Sequence, residues 1–305
     1  MDKISQVVDH KITSAVFPLV CADHCAHLLN IPFSEVATNG SKLAEVLAYG
    51  YDQYQYDMIL VFSDPYVEAQ ALGCPVELDP YPTLRGPKSN KHLDRTHEVM
   101  KAAEILKRDL DVPVFVSIKG VFSLAAFLGG VEHFLRILLK RESEANEFLE
   151  QAMQFLETYL DSILSLGVNV FIGDPLASSS VISPAIFRKY ALDPLITMVQ
   201  RVKAQGALAG IHICGDTQPI LEILDHTGAD ILSIENVTTK TETLRMGGVS
   251  TQTILNGDAG SISLEVLSAL SITPLILSTS CDVPPQTDPA SIMTMLRVAR
   301  EYQEL

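Results

Sequence analysis

Apolar runs of strand length alternate along this chain with longer stretches in which apolar residues recur every three or four positions. The strand-like runs are SAVFPLV (14–20), MILVF (58–62), PVFVSI (113–118), NVFIG (169–173), LAGIHI (208–213), DILSI (230–234), TQTILN (251–256) and PLILSTS (274–280). Between them SKLAEVLAYGYDQYQ, LDRTHEVMKAAEILKRDL, EANEFLEQAMQFLETYLDSILSL, SPAIFRKYALDPLITMVQRVKAQ, TQPILEILDHT and PASIMTMLRVAREYQE carry the helical period. Near-continuous apolarity in the short runs predicts strands buried on both faces, as in a parallel sheet covered by helices. Eight such units in 305 residues predict a single α/β domain over residues 1–305, a (β/α)8 TIM-type barrel. A doubly wound open sheet shows the same alternation and stays as the competing layout. ELDPYPTLRGPKSN (77–90), rich in proline and turn formers, reads as an excursion between the second and third units.

Composition narrows the function classes. A hydrophobic share of 47% supports a sizeable core, and no run approaches the roughly 20 apolar residues of a membrane span. The start, MDKISQVVDHKITSAVFPLV, lacks the long apolar core of a targeting segment, so a soluble, cytoplasmic protein is expected. A net charge of −15 without a basic face excludes nucleic acid as the natural partner and suits docking to a complementary protein. Five cysteines, an odd number in a large chain, read as reduced thiols rather than a disulfide framework.

Candidate chemistry collects at the carboxyl ends of the expected strands, where barrels of this type carry their sites. Asp23 and His24 follow the first run, Asp64 the second, Lys119 the third and Asp174 the fourth. His212 and Cys214 end the fifth, Glu235 the sixth, Asn256 and Asp258 the seventh, and Cys281 with Asp282 the eighth. In a strand, residues two apart point the same way, so His212 and Cys214 share a direction. Cys281 joins them on the same rim from a separate strand, which makes three ligands of the kind zinc takes, with a fourth position left for chemistry. The alternative is packing, because cysteine is among the most commonly buried residues. CADHCAH (21–27) has more potential ligands, but no second cluster completes a structural site, so Cys21 and Cys25 read as packing, as does Cys74.

GIHICGDTQPILEILDHTGADILSIEN followed by STSCDVPPQTDPASIMTMLRVARE resembles the zinc-dependent methylcobamide:coenzyme M methyltransferases of the uroporphyrinogen decarboxylase superfamily. KGVFSLAAFLGG (119–130) resembles that superfamily's glycine-phenylalanine loop, and GDPLASSSVISPAIFRKYALDPL (173–195) its Asp-Pro-x-Ala-Ser segment. The similarity runs from about residue 45 to the end. It implies a uroporphyrinogen decarboxylase-like barrel, Zn²⁺ on His212, Cys214 and Cys281, and Glu235 as a displaceable fourth ligand. It further implies Asp174 in a catalytic, substrate-facing role; Ser178 of the same segment and, from their strand-end positions, Lys119, Asn256, Asp258 and His24 are candidates to bind substrate. The implied reaction moves a methyl group from a methylcobamide, a corrinoid delivered on a separate small protein, to a thiol such as coenzyme M. Tetrahydrofolate or homocysteine as acceptor, and a non-catalytic corrinoid-binding barrel, stand as alternatives. LNGDAGSIS (255–263) and VFSL depart from the family's usual Gly-Asn-Val and Gly-Pro-Phe patterns.

The decarboxylase branch fits poorly on physical grounds. A substrate with many carboxylates needs arginine forks, yet residues 1–84 contain no arginine and only Lys3, Lys11 and Lys42. Decarboxylation also has no use for two metal-binding thiolates.

Overall fold

The structure is a computed structural model and describes residues 1–89 and 93–303. Apolar strands need cover on both faces, and here one curled parallel sheet lies inside a ring of helices. Its strands are β1 (Ser14–Val16), β2 (Ile59–Val61), β3 (Val114–Lys119), β4 (Asn169–Gly173), β5 (Ala209–His212), β6 (Ile231–Ser233), β7 (Leu244–Val249) and β8 (Leu275–Thr279). Ladders run without a break from β2 through β3, β4, β5, β6 and β7 to β8 and then β1. This order follows the chain and lacks the reversal of a doubly wound sheet, so the (β/α)8 layout holds. The β1/β2 seam has no ladder. Asp57 bridges it instead: its N–H donates to the Val16 carbonyl (2.9 Å), and its carboxylate accepts the Val16 N–H (2.7 Å).

Register aligns the rim. Lys119 is level with Gly173, Gly173 with His212, and His212 with Ser233. These residues form one layer at the carboxyl end of the barrel.

The seventh strand is the main correction. TQTILN is not a strand but the helix Thr251–Asn256, whose first turn is capped by Ser250 Oγ accepting the Gln252 N–H. The strand is LRMGGV, where Arg245 and a glycine pair disguise the apolar pattern. Tertiary packing demands those glycines: a Cβ on Gly247 would lie 2.4 Å from the Ile234 carbonyl oxygen, and one on Gly248 2.5 Å from Ala269 Cβ. Asn256 and Asp258 therefore leave the strand end. Asn256 closes that helix on the exposed surface, and Asp258 caps the helix Ala259–Leu270 by accepting the Ser261 N–H.

Other boundaries shift for local reasons. SPAIFRKYALDPLITMVQRVKAQ splits into Pro184–Tyr190 and Leu192–Ala204, because the ring of Pro194 conflicts with the carbonyl four residues back. KGVFSLAAFLGG is mostly helix (Val121–Gly129), with all nine helical residues buried. The 77–90 excursion includes a two-stranded ribbon, Val76–Glu77 with Thr83–Leu84; residue 90 and the final Glu304 of the last helical stretch lie outside the described residues. A short helix, Lys3–Val8, precedes β1. No single helix among the described residues is long and apolar enough to cross a membrane.

Candidate metal centre

Two strand ends, those of β5 and β8, bring His212, Cys214 and Cys281 together. His212 Nε2 lies 3.0 Å from Cys214 Sγ, the two sulfurs are 3.7 Å apart, and Cys281 Sγ is 3.9 Å from Nε2. A tetrahedral site with Zn–S near 2.3 Å and Zn–N near 2.0–2.1 Å spaces its ligand atoms by about 3.5–3.8 Å. The donor set thus has nearly the spacing of a metal site, and it is the one such cluster among the described residues. Ser233 Oγ sits 2.9 Å from His212 Nδ1, which frees Nε2 to face the sulfurs. Ser233 escaped the sequence reading, although a lone serine in the apolar run DILSI was a signal.

The backbone around each ligand is pinned. Thr279 donates from Oγ1 to the Cys281 carbonyl (2.7 Å) and accepts the Leu19 N–H (3.0 Å). After Cys214 the chain turns through Gly215 at φ +75°, where a Cβ would lie 2.7 Å from Ser180 Oγ and 3.0 Å from Ser178 Oγ. Ser180 Oγ accepts the Asp216 N–H (2.9 Å), and the Ser179 N–H donates to the Asp216 carbonyl (3.0 Å). The serine triplet of the Asp-Pro-x-Ala-Ser segment is a latch on the Cys214 turn. Ser178 is buried in it and does not line the cavity beside the cluster.

Electrostatics distinguish the two thiols. Hydrogen bonding from Cys281 lowers the Cys214 pKa, although burial opposes it. The same bond, together with burial, raises Cys281 far above the ordinary thiol range. Burial works against a charged His212, but its hydrogen bond and charge interaction with Cys281 outweigh this and raise its pKa. A cation between the two sulfurs would favour the thiolate form of both. Asp282 lies beside Cys281; burial raises its pKa, while His212 and Lys119 oppose the shift.

The cluster opens onto a cavity of about 340 Å³. Its walls are mostly apolar, with Leu60, Phe62, Tyr66, Phe127, Phe171 and Leu176 among them. Lys119 and Asp282 bring the charges. Of the residues singled out from the sequence, His212, Cys214, Cys281, Asp282 and Lys119 meet here.

The others are elsewhere. Glu235 is exposed, and its carboxylate accepts the Gly215 N–H (2.7 Å) in a neighbouring polar cavity with Asp216 and Gln218, outside the metal cluster. It braces the Cys214 turn. Asp174 is wholly buried and turned away: Oδ1 accepts the Ser123 N–H (2.8 Å) and Oγ–H (2.5 Å) at the start of helix Val121–Gly129. It fits because Gly120 has no side chain; a Cβ there would lie 2.3 Å from Asp174 Cγ. Burial raises its pKa to about 6, with the Ser123 bonds opposing. His24 is buried in helix Ala22–Leu29 with Nε2 2.9 Å from Tyr54 Oη, and it does not reach the cavity. Asp64 is consumed by an ion pair with the buried Arg95. Cys21, Cys25 and Cys74 are buried.

Comparison with known proteins agrees with this architecture. The sequence profile described as Uroporphyrinogen decarboxylase (URO-D) matches residues 19–302. The methylcobamide:CoM methyltransferase MtbA of Methanosarcina mazei is 26% identical over 295 residues, covering 88% of this chain and 87% of that protein. MtaA of Methanosarcina barkeri, with the same activity in its name, is 25% identical over 88% of this chain and 86% of its own length. A solved structure described as a methyltransferase from Methanosarcina mazei superposes with a TM-score of 0.86 at 21% identity, covering 97% of both chains.

Proposed function

The chain belongs to the uroporphyrinogen decarboxylase (URO-D) family, and from that premise we propose that it is a methyltransferase carrying a methyl group from a protein-bound methylcobamide to a small thiol such as coenzyme M. The observation that carries the proposal is the His212–Cys214–Cys281 cluster at the wall of a mostly apolar cavity. Two thiolates and an imidazole favour zinc over the harder divalent ions. The relatives named methylcobamide:CoM methyltransferases support the same reaction class.

When bound there, Zn²⁺ would deprotonate an incoming thiol at neutral pH. The chain's own residues do the rest. Ser233 holds the His212 ring, and the Ser178–Ser180 latch with Glu235 fixes the Cys214 turn. The Phe62, Tyr66 and Phe171 walls keep water away from the sulfur. In the reaction the acceptor sulfur forms a bond to the methyl carbon, the carbon–cobalt bond breaks, and its electron pair stays on cobalt as cob(I)amide. A small corrinoid-carrying protein would deliver the methyl donor to the open rim.

Incubation with methylcobalamin and a panel of thiols together with tetrahydrofolate, followed by the visible spectrum of the corrinoid, tests the reading. Cob(I)alamin and methylated thiol should appear together. If neither forms with any thiol while the protein binds methylcobalamin, a carrier role replaces catalysis. Methylation confined to tetrahydrofolate or homocysteine would keep the reaction class and change the acceptor.

The latch gives a second expectation. Gly215→Ala puts a Cβ into the left-handed region and against Ser180, so Cys214 must shift. Zinc retention against a chelator should weaken by roughly 10- to 100-fold, the usual cost of disturbing a ligand's supporting shell. Unchanged retention would refute the latch.

A further inference from the structure

The five cysteines fall into two groups. Cys21, Cys25 and Cys74 are buried, whereas Cys214 and Cys281 are partly exposed and both line the cavity. A small oxidant entering the cavity therefore meets these two thiols first. Their sulfurs are 3.7 Å apart, close to contact distance, which leaves no room for another atom between them. A disulfide holds its sulfurs about 2.05 Å apart, so bond formation needs a closing of about 1.7 Å. Each cysteine lies two residues beyond its strand, past His212 of β5 and Thr279 of β8, so neither is part of a sheet ladder. The backbone beside Cys281 is pinned through Thr279, so the approach falls to the side chains.

Metal and disulfide exclude each other here. A bound cation uses a thiolate from each cysteine and keeps the sulfurs at ligand spacing. A disulfide removes both thiolates and leaves His212 as the one donor of the cluster.

We propose that Cys214 and Cys281 are a redox modification site: a peroxide joins them as a disulfide in the metal-free protein, and bound metal protects them. This rests on the metal-centre reading above and names a regulation of that site. One sulfur attacks a peroxide oxygen, the O–O bond breaks, and the departing oxygen leaves with the thiol proton as water. The second sulfur then bonds to the resulting sulfenic sulfur, the S–O bond breaks, and the second thiol proton leaves in another water. Two electrons pass from the sulfurs to the peroxide, and a dithiol reverses the change.

The test treats metal-free and zinc-loaded protein with hydrogen peroxide, then unfolds it, alkylates it with iodoacetamide and maps the peptides by mass spectrometry. Untreated protein should take five alkyl groups, one per cysteine. Oxidised metal-free protein should take three, five less the two that are joined, with one cross-linked peptide pair carrying Cys214 and Cys281. Dithiothreitol should restore all five alkylations and zinc binding. Zinc loading should slow the cross-linking at least about 10-fold, because the metal occupies both thiolates. A loaded sample that holds zinc and cross-links as fast as the metal-free one would overturn the proposal. So would sulfinic acid at Cys214 without a cross-link, or a cross-link through Cys21, Cys25 or Cys74. Cys281→Ser should lose the cross-link and one alkylation site, and a persisting disulfide in that variant would also overturn it. No corrinoid and no turnover enter the measurement. Methyl transfer without the disulfide would sink this inference alone, and the disulfide without methyl transfer would sink the reaction alone.

Discussion

Cys214→Ala and Cys281→Ala should each reduce bound zinc from about one per chain to a small residue and cut methyl transfer by at least about 100-fold. The two sulfurs are 3.7 Å apart with His212 Nε2 completing the triangle, and either truncation leaves only two donors. Two donors do not hold zinc against competing chelators. Without the metal an acceptor thiol of pKa near 8.5 is only a few per cent ionised at pH 7, which costs about 30-fold. The remaining loss comes from positioning, because the thiol then meets the methyl group as a free solute. Metal analysis and turnover must fall together. A variant that loses zinc and keeps its rate would refute the metal's role, and one that keeps both would refute the cluster.

Arg95→Met should lower the melting temperature by roughly 5–8 °C. Arg95 and Asp64 are each 1% exposed at the side chain and form a bidentate pair, Nη1 to Oδ2 at 2.6 Å and Nη2 to Oδ1 at 3.2 Å. Arg95 Nε also donates to Gln70 Oε1 (2.6 Å), and Nη1 reaches the Ala37 carbonyl (3.3 Å). Removing one member of a buried pair strands the other charge and costs about 3–5 kcal/mol. For a chain of this size the unfolding entropy converts that into the stated shift. Asp64→Asn should fall in the same direction, and Arg95→Met combined with Asp64→Leu should recover part of the loss because no charge is left buried. Melting of Arg95→Met within 1–2 °C of the natural protein would contradict the argument. The pair fixes the turn after β2 that presents Phe62 and Tyr66 to the cavity, so metal binding should survive a change that weakens acceptor binding.

Legibility in the sequence depended on whether a residue's role was set by its neighbours along the chain. His212 and Cys214 could be paired because strand period alone makes them parallel, and Cys281 followed once eight strand ends were placed on one rim. Lys119 was found in the same way. The rule failed at β7, where Gly247 and Gly248 satisfy the close approach of Ile234 and Ala269, a requirement with no local trace. That error moved Asn256 and Asp258 onto the rim, when they belong to a helix end and a helix cap. Glu235 and Asp174 do stand at strand ends. Their carboxylates turn to amide donors, Gly215 and Ser123, and a strand-end position does not determine that choice.

By itself the sequence determined seven of the eight strands, the rim and the His212–Cys214–Cys281 donor set on it, because periodicity and strand ends are local consequences of burying apolar residues. Only the tertiary structure decided which polar residues face the cavity. A carboxylate or ammonium at the rim goes where its hydrogen-bond partners and the missing side chains of neighbouring glycines allow. Gly120 admits Asp174 beneath the rim, Gly173 puts no side chain beside Lys119, and Arg95, just ahead of a helix and more than thirty positions away, claims Asp64.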